Sequence, residues 1–219
     1  MRKKLIFDLD GTLVNSVPDI AEGMNIFLQR KGLPFIEEKD VKLTIGKGAE
    51  VSLKKLLALK NVAVSEEEFG KLYAEYIKIY QEKDLTKTHL WPGVKETLTI
   101  LQEDGYEMAV CTNKPKIPAE NILAKLDIKK FFKVLVNPDT AGVTKPNLKI
   151  MQDCLSGLGA DARECVMIGD SETDVSCAKV INVPAILLTF GYALEPYETM
   201  GADRLVNSFA ELPEAIRSL

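Results

Sequence analysis

Lys4-Leu5-Ile6-Phe7-Asp8-Leu9-Asp10-Gly11-Thr12-Leu13 decides how the rest of the chain is read. Leu5 to Phe7 is a short apolar run of the kind buried on both faces of a parallel sheet. It leads into Asp8 and Asp10, then Gly11. Side chains two apart on a strand point the same way, so both carboxylates can face one small volume at the strand's carboxyl end. Gly11 lets the backbone turn sharply, and Thr12 offers a hydroxyl. Burying two carboxylates together is costly unless a positive group joins them. A divalent cation is the simplest such group, and hard Mg²⁺ prefers oxygen ligands. An ordinary strand ending in an Asp-Gly turn has the same local sequence, so the remainder of the chain must decide.

The 219 residues leave room for one good core, or for a core domain with a small second unit. With 46% hydrophobic and 27% charged residues, the composition is that of a soluble globular protein. A net charge of −4 gives no basic footprint, which argues against nucleic acid as the main partner but leaves room for a local anion site. The four cysteines, Cys111, Cys154, Cys165 and Cys177, are scattered without a Cys-x-x-Cys pair. Three fall in expected core elements, as buried reduced thiols do. No apolar run is long enough to span a bilayer, so no membrane partner is expected. Arg2-Lys3-Lys4 is followed only by Leu5, Ile6 and Phe7 before Asp8, too little for a secretory signal. A cytoplasmic address follows by default.

After Thr12 the pattern turns helical, and no strand candidate occurs between residues 15 and 85. Val17, Ile20, Ala21, Met24, Phe27 and Leu28 recur at three- and four-residue spacing, an amphipathic helix that Gly32 and Pro34 close. A second helix is predicted over 41–45, breaking at Gly46-Lys47-Gly48, and a third over 51–59. Ser65-Glu66-Glu67-Glu68 reads as a capping box. Behind it, Phe69, Leu72, Tyr73, Tyr76, Ile77 and Tyr80 form one apolar stripe, read as packing within a helical bundle. From Trp91-Pro92-Gly93-Val94 onward helix and strand alternate. Strands are predicted over 106–112, 131–136, 164–168 and 183–188, with a short edge strand at 205–206. Helices fall near 94–101, 117–126, 148–158, 175–181 and 209–219, and 137–144 is a loop. The fold class is therefore α/β. It has a doubly wound parallel-sheet (Rossmann-like) core of residues 1–14 and 90–219, and an all-helical cap of residues 15–89 inserted after the first strand. In such sheets the site lies outside the carboxyl ends of the strands.

Those ends carry chemistry. The first gives Asp8 and Asp10, the next Thr112 and Asn113; Lys145 follows the third; the fourth gives Asp170 and, one helical turn later, Asp174. Each alone has an ordinary reading: an N-cap, a surface lysine, a turn. Their joint arrival at one edge of one sheet makes coincidence improbable. Asp8-Leu9-Asp10-Gly11-Thr12 resembles the first motif of the haloacid dehalogenase-like (HAD) hydrolase superfamily. Thr112-Asn113, Lys145 and Gly169-Asp170-Ser171-Glu172-Thr173-Asp174 are similar to its second, third and fourth motifs, in the right order. The helical cap, with Thr44-Ile45-Gly46-Lys47-Gly48, Trp91-Pro92-Gly93-Val94 and Gly191-Tyr192, resembles the phosphoglycolate phosphatase-like branch. Asn15 stands where many relatives carry Asp, and Lys145-Pro146-Asn147-Leu148 lacks the second proline common after this lysine. Neither departure removes a chemical group the mechanism needs.

The resemblance implies a Mg²⁺-dependent phosphatase that hydrolyses small organic phosphate monoesters through a phosphoaspartyl intermediate. It makes Asp8 the nucleophile and Asp10 the acid and then the base. Lys145 becomes the cation on the phosphoryl oxygens, with Thr112 and Asn113 as further donors. Asp8, the backbone carbonyl of Asp10 and Asp170 would hold the metal, and Asp174 would complete the acidic set and position metal-bound water or Lys145. An acid at position 10 sets this chain apart from the dehalogenases and phosphonate hydrolases of the family. The favoured substrate is 2-phosphoglycolate. The alternatives are another small phosphatase, acting on pyrophosphate, a nucleotide or a sugar phosphate; a phosphomutase; and, outside enzymes, a phosphoacceptor signalling module, against which Asp10 and the lid both argue. Gly46-Lys47-Gly48 is expected to face the core, where Lys47 or the amides at the next helix start would hold the substrate's far end; the other reading is a surface turn with a solvated lysine. Lone His89 is read as a hinge or packing residue. The stripe behind Ser65 offers a dimer surface, which leaves monomer or homodimer, and hinge closure is expected near 14–17 and 84–91.

Overall fold

The opening apolar run becomes an interior strand of a six-stranded parallel sheet in the computed structural model, which describes residues 3–219. In chain order the first elements are β1 (Lys4–Phe7), β2 (Val14–Asn15), α1 (Val17–Arg30), α2 (Glu38–Val41), α3 (Ala49–Leu59), α4 (Glu66–Glu82) and β3 (His89–Leu90). There follow α5 (Val94–Glu103), β4 (Glu107–Cys111), α6 (Lys116–Lys125), β5 (Phe132–Val136), α7 (Pro138–Ala141) and α8 (Leu148–Leu158). The chain closes with β6 (Cys165–Gly169), α9 (Glu172–Lys179), β7 (Ala185–Leu188), β8 (Arg204–Val206) and α10 (Leu212–Arg217).

The sheet order is β5-β4-β1-β6-β7-β8. The chain leaves β1 toward β4 and β5 and then crosses to β6 on the other side. The carboxyl end of β1 is therefore the switch point of the sheet, where a crevice opens. Leu5, Ile6 and Phe7 are fully buried, which is why the run has no polar alternation. Leu5 and Phe7 join the layer that includes Leu98, Ile122 and Leu212, and Ile6 joins the opposite layer with Met151, Cys154 and Val175. Each such side chain contributes about 1.5–3 kcal/mol of burial.

The helices α1–α4 are inserted after β2 and have a core of their own, built on Met24, Phe27, Leu53, Leu56 and Tyr76. Ser65 makes the expected capping box with Glu68. The two crossings between cap and core form an antiparallel ribbon, Val14 opposite Leu90 and Asn15 opposite His89. Two-residue strands are too short to show periodicity, so the sequence carries no sign of this ribbon. Asp19 on α1 ties the returning chain down. Its carboxylate is buried and accepts from Lys83 Nζ (2.7 Å), Lys87 N (3.0 Å) and both the N–H and the hydroxyl of Thr88 (2.6 Å each).

Several boundaries differ from expectation. The second helix ends at Val41 instead of starting there, because Glu38 and Asp40 suit a helix start. Residues 42–45 turn back on it, Thr44 Oγ1 donating to Val41 O at 2.7 Å. The expected loop at 137–144 contains α7, capped by Asn137, whose side chain accepts from Asp139 N and Thr140 N. In α4 Ile79, not Ile77, joins Phe69, Tyr76 and Tyr80 in the buried face. The closing helix begins at Leu212, after a 3-10 turn at Phe209–Glu211. His89 is exposed on β3, its ring at 70° to that of Trp91. All four cysteines are buried free thiols. Among the described residues no helix is long and apolar enough to cross a membrane; Arg2, read with Lys3 and Lys4 as the basic start, lies outside them.

Candidate active site

Asp8 follows β1 directly, its N–H donating to Ile168 O at 2.9 Å, so neighbouring β6 fixes where the carboxylate emerges. Next comes Gly11 at φ +88°, where a Cβ would lie 2.7 Å from Asp170 Cγ. Only glycine gives both the turn and the close approach. Thr12 Oγ1 then donates to Asp170 Oδ1 (3.0 Å), and Tyr192 N donates to Asp170 Oδ2 (2.7 Å). At the start of α9, Asp174 Oδ2 accepts from Asp170 N (3.2 Å), Ser171 N (3.1 Å) and Ser171 Oγ (2.8 Å), a capping box that fixes the carboxylate. Its other oxygen accepts from Lys145 Nζ at 2.7 Å, and Nζ also reaches Asp8 Oδ1 at 2.8 Å. Lys145 is held in turn by Asn113: its N–H donates to Asn113 Oδ1 (2.7 Å), and Asn113 Nδ2 donates to Lys145 O (3.3 Å) and to Gly46 O on the cap (3.1 Å).

Asp8, Asp170 and Asp174 are buried, with carboxylate oxygens within 4.8 Å of one another. Burial raises the Asp8 carboxyl well above the usual range; Lys145 opposes this, and Asp174 and Asp170 add to it. Asp170 is pushed up to about 7, by burial first and then by Asp174. Burial alone would weaken the Lys145 ammonium, but Asp174 and Asp8 outweigh it and hold it charged. One ammonium against three buried carboxylates leaves negative charge uncompensated. The donors are all oxygen, and Gly11 and Gly191 bring backbone against Asp170 where a Cβ would clash with its carboxylate. The residues therefore fit a hard divalent cation beside Asp8 and Asp170.

Above this floor a cavity of about 310 Å³ opens between sheet and cap. Asp8, Asp10, Thr112, Asn113 and Asp170 line it, together with Lys47 on the cap loop. Lys145 and Asp174 lie behind the wall, Lys145 paired with both Asp174 and Asp8. Lys47 is exposed, and among the described residues it has no hydrogen bond or ion pair. The Thr112 hydroxyl accepts from Lys114 N at 3.1 Å. Asp10 is engaged outside the acidic trio: Ser16 Oγ donates to Oδ1, and Lys114 Nζ lies 2.9 and 3.1 Å from its two oxygens. No role was expected of Lys114 or Ser16, and of Tyr80 only packing. Tyr80 packs as expected, but its hydroxyl also meets Lys114 Nζ. For Lys114 a signal existed: it directly follows Thr112-Asn113 at a strand's carboxyl end. At the two departures from the family pattern, Asn15 accepts from Tyr192 OH at 2.8 Å and Asn147 caps α8.

Known proteins bear on this site. The profile of haloacid dehalogenase-like hydrolases matches residues 5–188. Phosphoglycolate phosphatase of Caulobacter vibrioides is 34% identical over 215 residues, covering 98% of this chain and 91% of that protein. The phosphoglycolate phosphatase of Agrobacterium fabrum is 33% identical over 211 residues, covering 96% and 91%. A crystal structure described as a predicted phosphoglycolate phosphatase from Haemophilus somnus superposes with a TM-score of 0.90 at 30% identity, covering 98% of this chain and 97% of that one.

Proposed function

Because the chain belongs to the haloacid dehalogenase-like hydrolases, a phosphatase-type enzyme with relatives named phosphoglycolate phosphatase, we propose that it hydrolyses small phosphate monoesters through Asp8, with 2-phosphoglycolate preferred. The observation that carries this reading is the convergence of Asp8, Asp170 and Asp174 with Lys145 beneath a cap-roofed cavity. Mg²⁺, held by Asp8, the Asp10 carbonyl and Asp170, would supply charge neutralisation between carboxylate and phosphate.

The chain's own residues do the rest. An Asp8 oxygen attacks phosphorus, and the bond from phosphorus to the ester oxygen breaks. Asp10 gives its proton to the leaving oxygen and then takes one from the water that attacks the acyl phosphate, releasing phosphate and restoring Asp8. Lys145 fixes the Asp8 carboxylate and adds positive charge near the phosphoryl oxygens, and Thr112 adds a hydroxyl. Splitting the reaction suits the chemistry, since phosphate monoesters are among the slowest substrates to hydrolyse unaided, with accelerations up to ~10²¹ known. Lys47, unpaired at the cavity rim, would draw in an acidic substrate. The cap unit, residues 15–89, would close over residues 1–14 and 90–219 at the 14–17 and 84–91 crossings, steadied by Asp19.

The test is kcat/KM with Mg²⁺ on phosphoglycolate, pyrophosphate, hexose phosphates and nucleoside monophosphates. A preference for phosphoglycolate of a hundredfold, about 2.7 kcal/mol of transition-state discrimination, is expected. A flat profile leaves a phosphatase and removes the substrate assignment.

A further inference from the structure

We propose that Lys114 is the specificity residue that binds the carboxylate next to the substrate's leaving oxygen, with Tyr80 of the cap holding its ammonium in position. The inference rests on the phosphoglycolate reading and assigns that reading a recognition group. Lys114 stands just beyond β4. Its side chain is 1% exposed, yet it lines the cavity. Nζ lies 2.9 and 3.1 Å from the two Asp10 oxygens and against the Tyr80 hydroxyl, with the Tyr80 ring centroid 5.0 Å away. An ammonium has three donors. One bifurcated N–H can serve both Asp10 oxygens and a second serves Tyr80, which leaves one for a ligand.

The other lysines of the site do not compete for this role. Lys145 is committed to Asp8 and Asp174 behind the wall. Lys42 and Lys47 are exposed at the rim, where water and salt weaken their pull, and Lys55 donates to Leu43 O. Lys114 alone pairs strong desolvation with contact to Asp10, and its field is correspondingly stronger. If Asp10 protonates the leaving oxygen, that oxygen lies within about 2.6–3.2 Å of it. In phosphoglycolate the carboxylate carbon is only two bonds further on. Since Nζ is itself about one hydrogen bond from Asp10, the carboxylate and the ammonium come within reach of each other. A leaving group without that charge would instead set an apolar carbon against a buried ammonium, which costs desolvation and returns nothing. Tyr80 makes the arrangement depend on the cap: its ring stacks on Tyr76 (6.2 Å between centroids, 2° between planes), so α4 sets where the hydroxyl stands.

The experiment compares kcat and KM for phosphoglycolate and for ethyl phosphate, which replaces the carboxylate by a methyl group. It uses wild type, Lys114→Met, Lys114→Arg and Tyr80→Phe, with a thermal melt of each. In Lys114→Met the ratio of kcat/KM for phosphoglycolate to that for ethyl phosphate should fall about a hundredfold, the energy of a well-placed charged contact. Lys114→Arg should restore part of the ratio, and Tyr80→Phe should lower it by a smaller factor. If Lys114→Met does not fold, Lys114→Gln, which keeps a donor for Asp10 and Tyr80 without the charge, carries the same test. Equal losses on both substrates would mean that Lys114 serves Asp10 alone and would overturn the inference while leaving the substrate assignment. A wild-type ratio near one would overturn both.

Discussion

Replacing Gly191 by alanine tests how Asp170 is held. A Cβ at 191 would lie 2.6 Å from Asp170 Cγ and closer still to its Cβ and Oδ2, inside the 3.0 Å that real Cβ contacts essentially never breach. Gly191 is not one of the left-handed glycines, so the substitution adds steric conflict without backbone strain. Because the clash reaches Asp170 Cβ, a rotamer change cannot relieve it; the 191–192 turn or Asp170 itself must move. Either movement strains the 2.7 Å bond from Tyr192 N to Asp170 Oδ2. Overpacking of this kind costs about 1–3 kcal/mol, and a poorly paired buried carboxylate adds a further ~1–3 kcal/mol. A carboxylate displaced by an ångström lowers turnover by about 100-fold. Denaturant melts and kcat against Mg²⁺ concentration should therefore show lost stability, lower kcat and a higher Mg²⁺ requirement. Gly70→Ala is the control. Gly70 lies in α4, and a methyl group there would meet nothing within 4 Å, so alanine should raise stability by ~1 kcal/mol and leave turnover unchanged. Wild-type stability and Mg²⁺ dependence in Gly191→Ala would show that residue 191 does not set the position of Asp170.

Three further outcomes are expected. Asp10→Asn should lose turnover of p-nitrophenyl phosphate and phosphoglycolate alike and, because it leaves the buried Lys114 ammonium without its carboxylate, should also melt at a lower temperature; full activity would remove Asp10 from the chemistry. Burial raises the Asp19 carboxyl, but hydrogen bonds from Lys83 and Thr88 outweigh it and hold the group below its ordinary range. Its stabilisation is thus fully present above the unfolded value of ~3.9 and is lost as pH falls through the lower folded value. Asp19→Asn should be less stable by about 3 kcal/mol at neutral pH, with the gap shrinking in acid; a pH-independent gap in urea melts would count against the ion pair. Lys47→Ala should raise KM for phosphoglycolate a few-fold and hardly change an aryl phosphate, and equal effects on both would make Lys47 a bystander.

What could be read in advance was whatever is local or falls at a fixed point of the sheet. Leu5 to Phe7 announced a strand buried on both faces, and Asp8, Asp170 and Asp174 stand together because parallel strands bring their carboxyl ends to one edge. The Ser65 capping box needs only residues three apart. Lys114 was missed because a lysine in a turn before Pro115 reads as solvated. Its burial comes from Tyr80, 34 residues earlier in the chain, and from Asp10, 104 residues earlier. The Asp19 anchor has the same character, joining positions 64 to 69 apart. The second helix falls earlier than 41–45 because its start is marked by acidic Glu38 and Asp40, with Val41 as its last residue.

Acid quench within the first turnover, followed by mass spectrometry of the peptide carrying Asp8, asks whether the phosphoryl group passes through that carboxylate. The expected result is one phosphoryl group on Asp8, formed from phosphoglycolate with Mg²⁺ and absent from Asp8→Asn. Phosphate release without that adduct, or an adduct on another residue, would rule out Asp8 as the nucleophile.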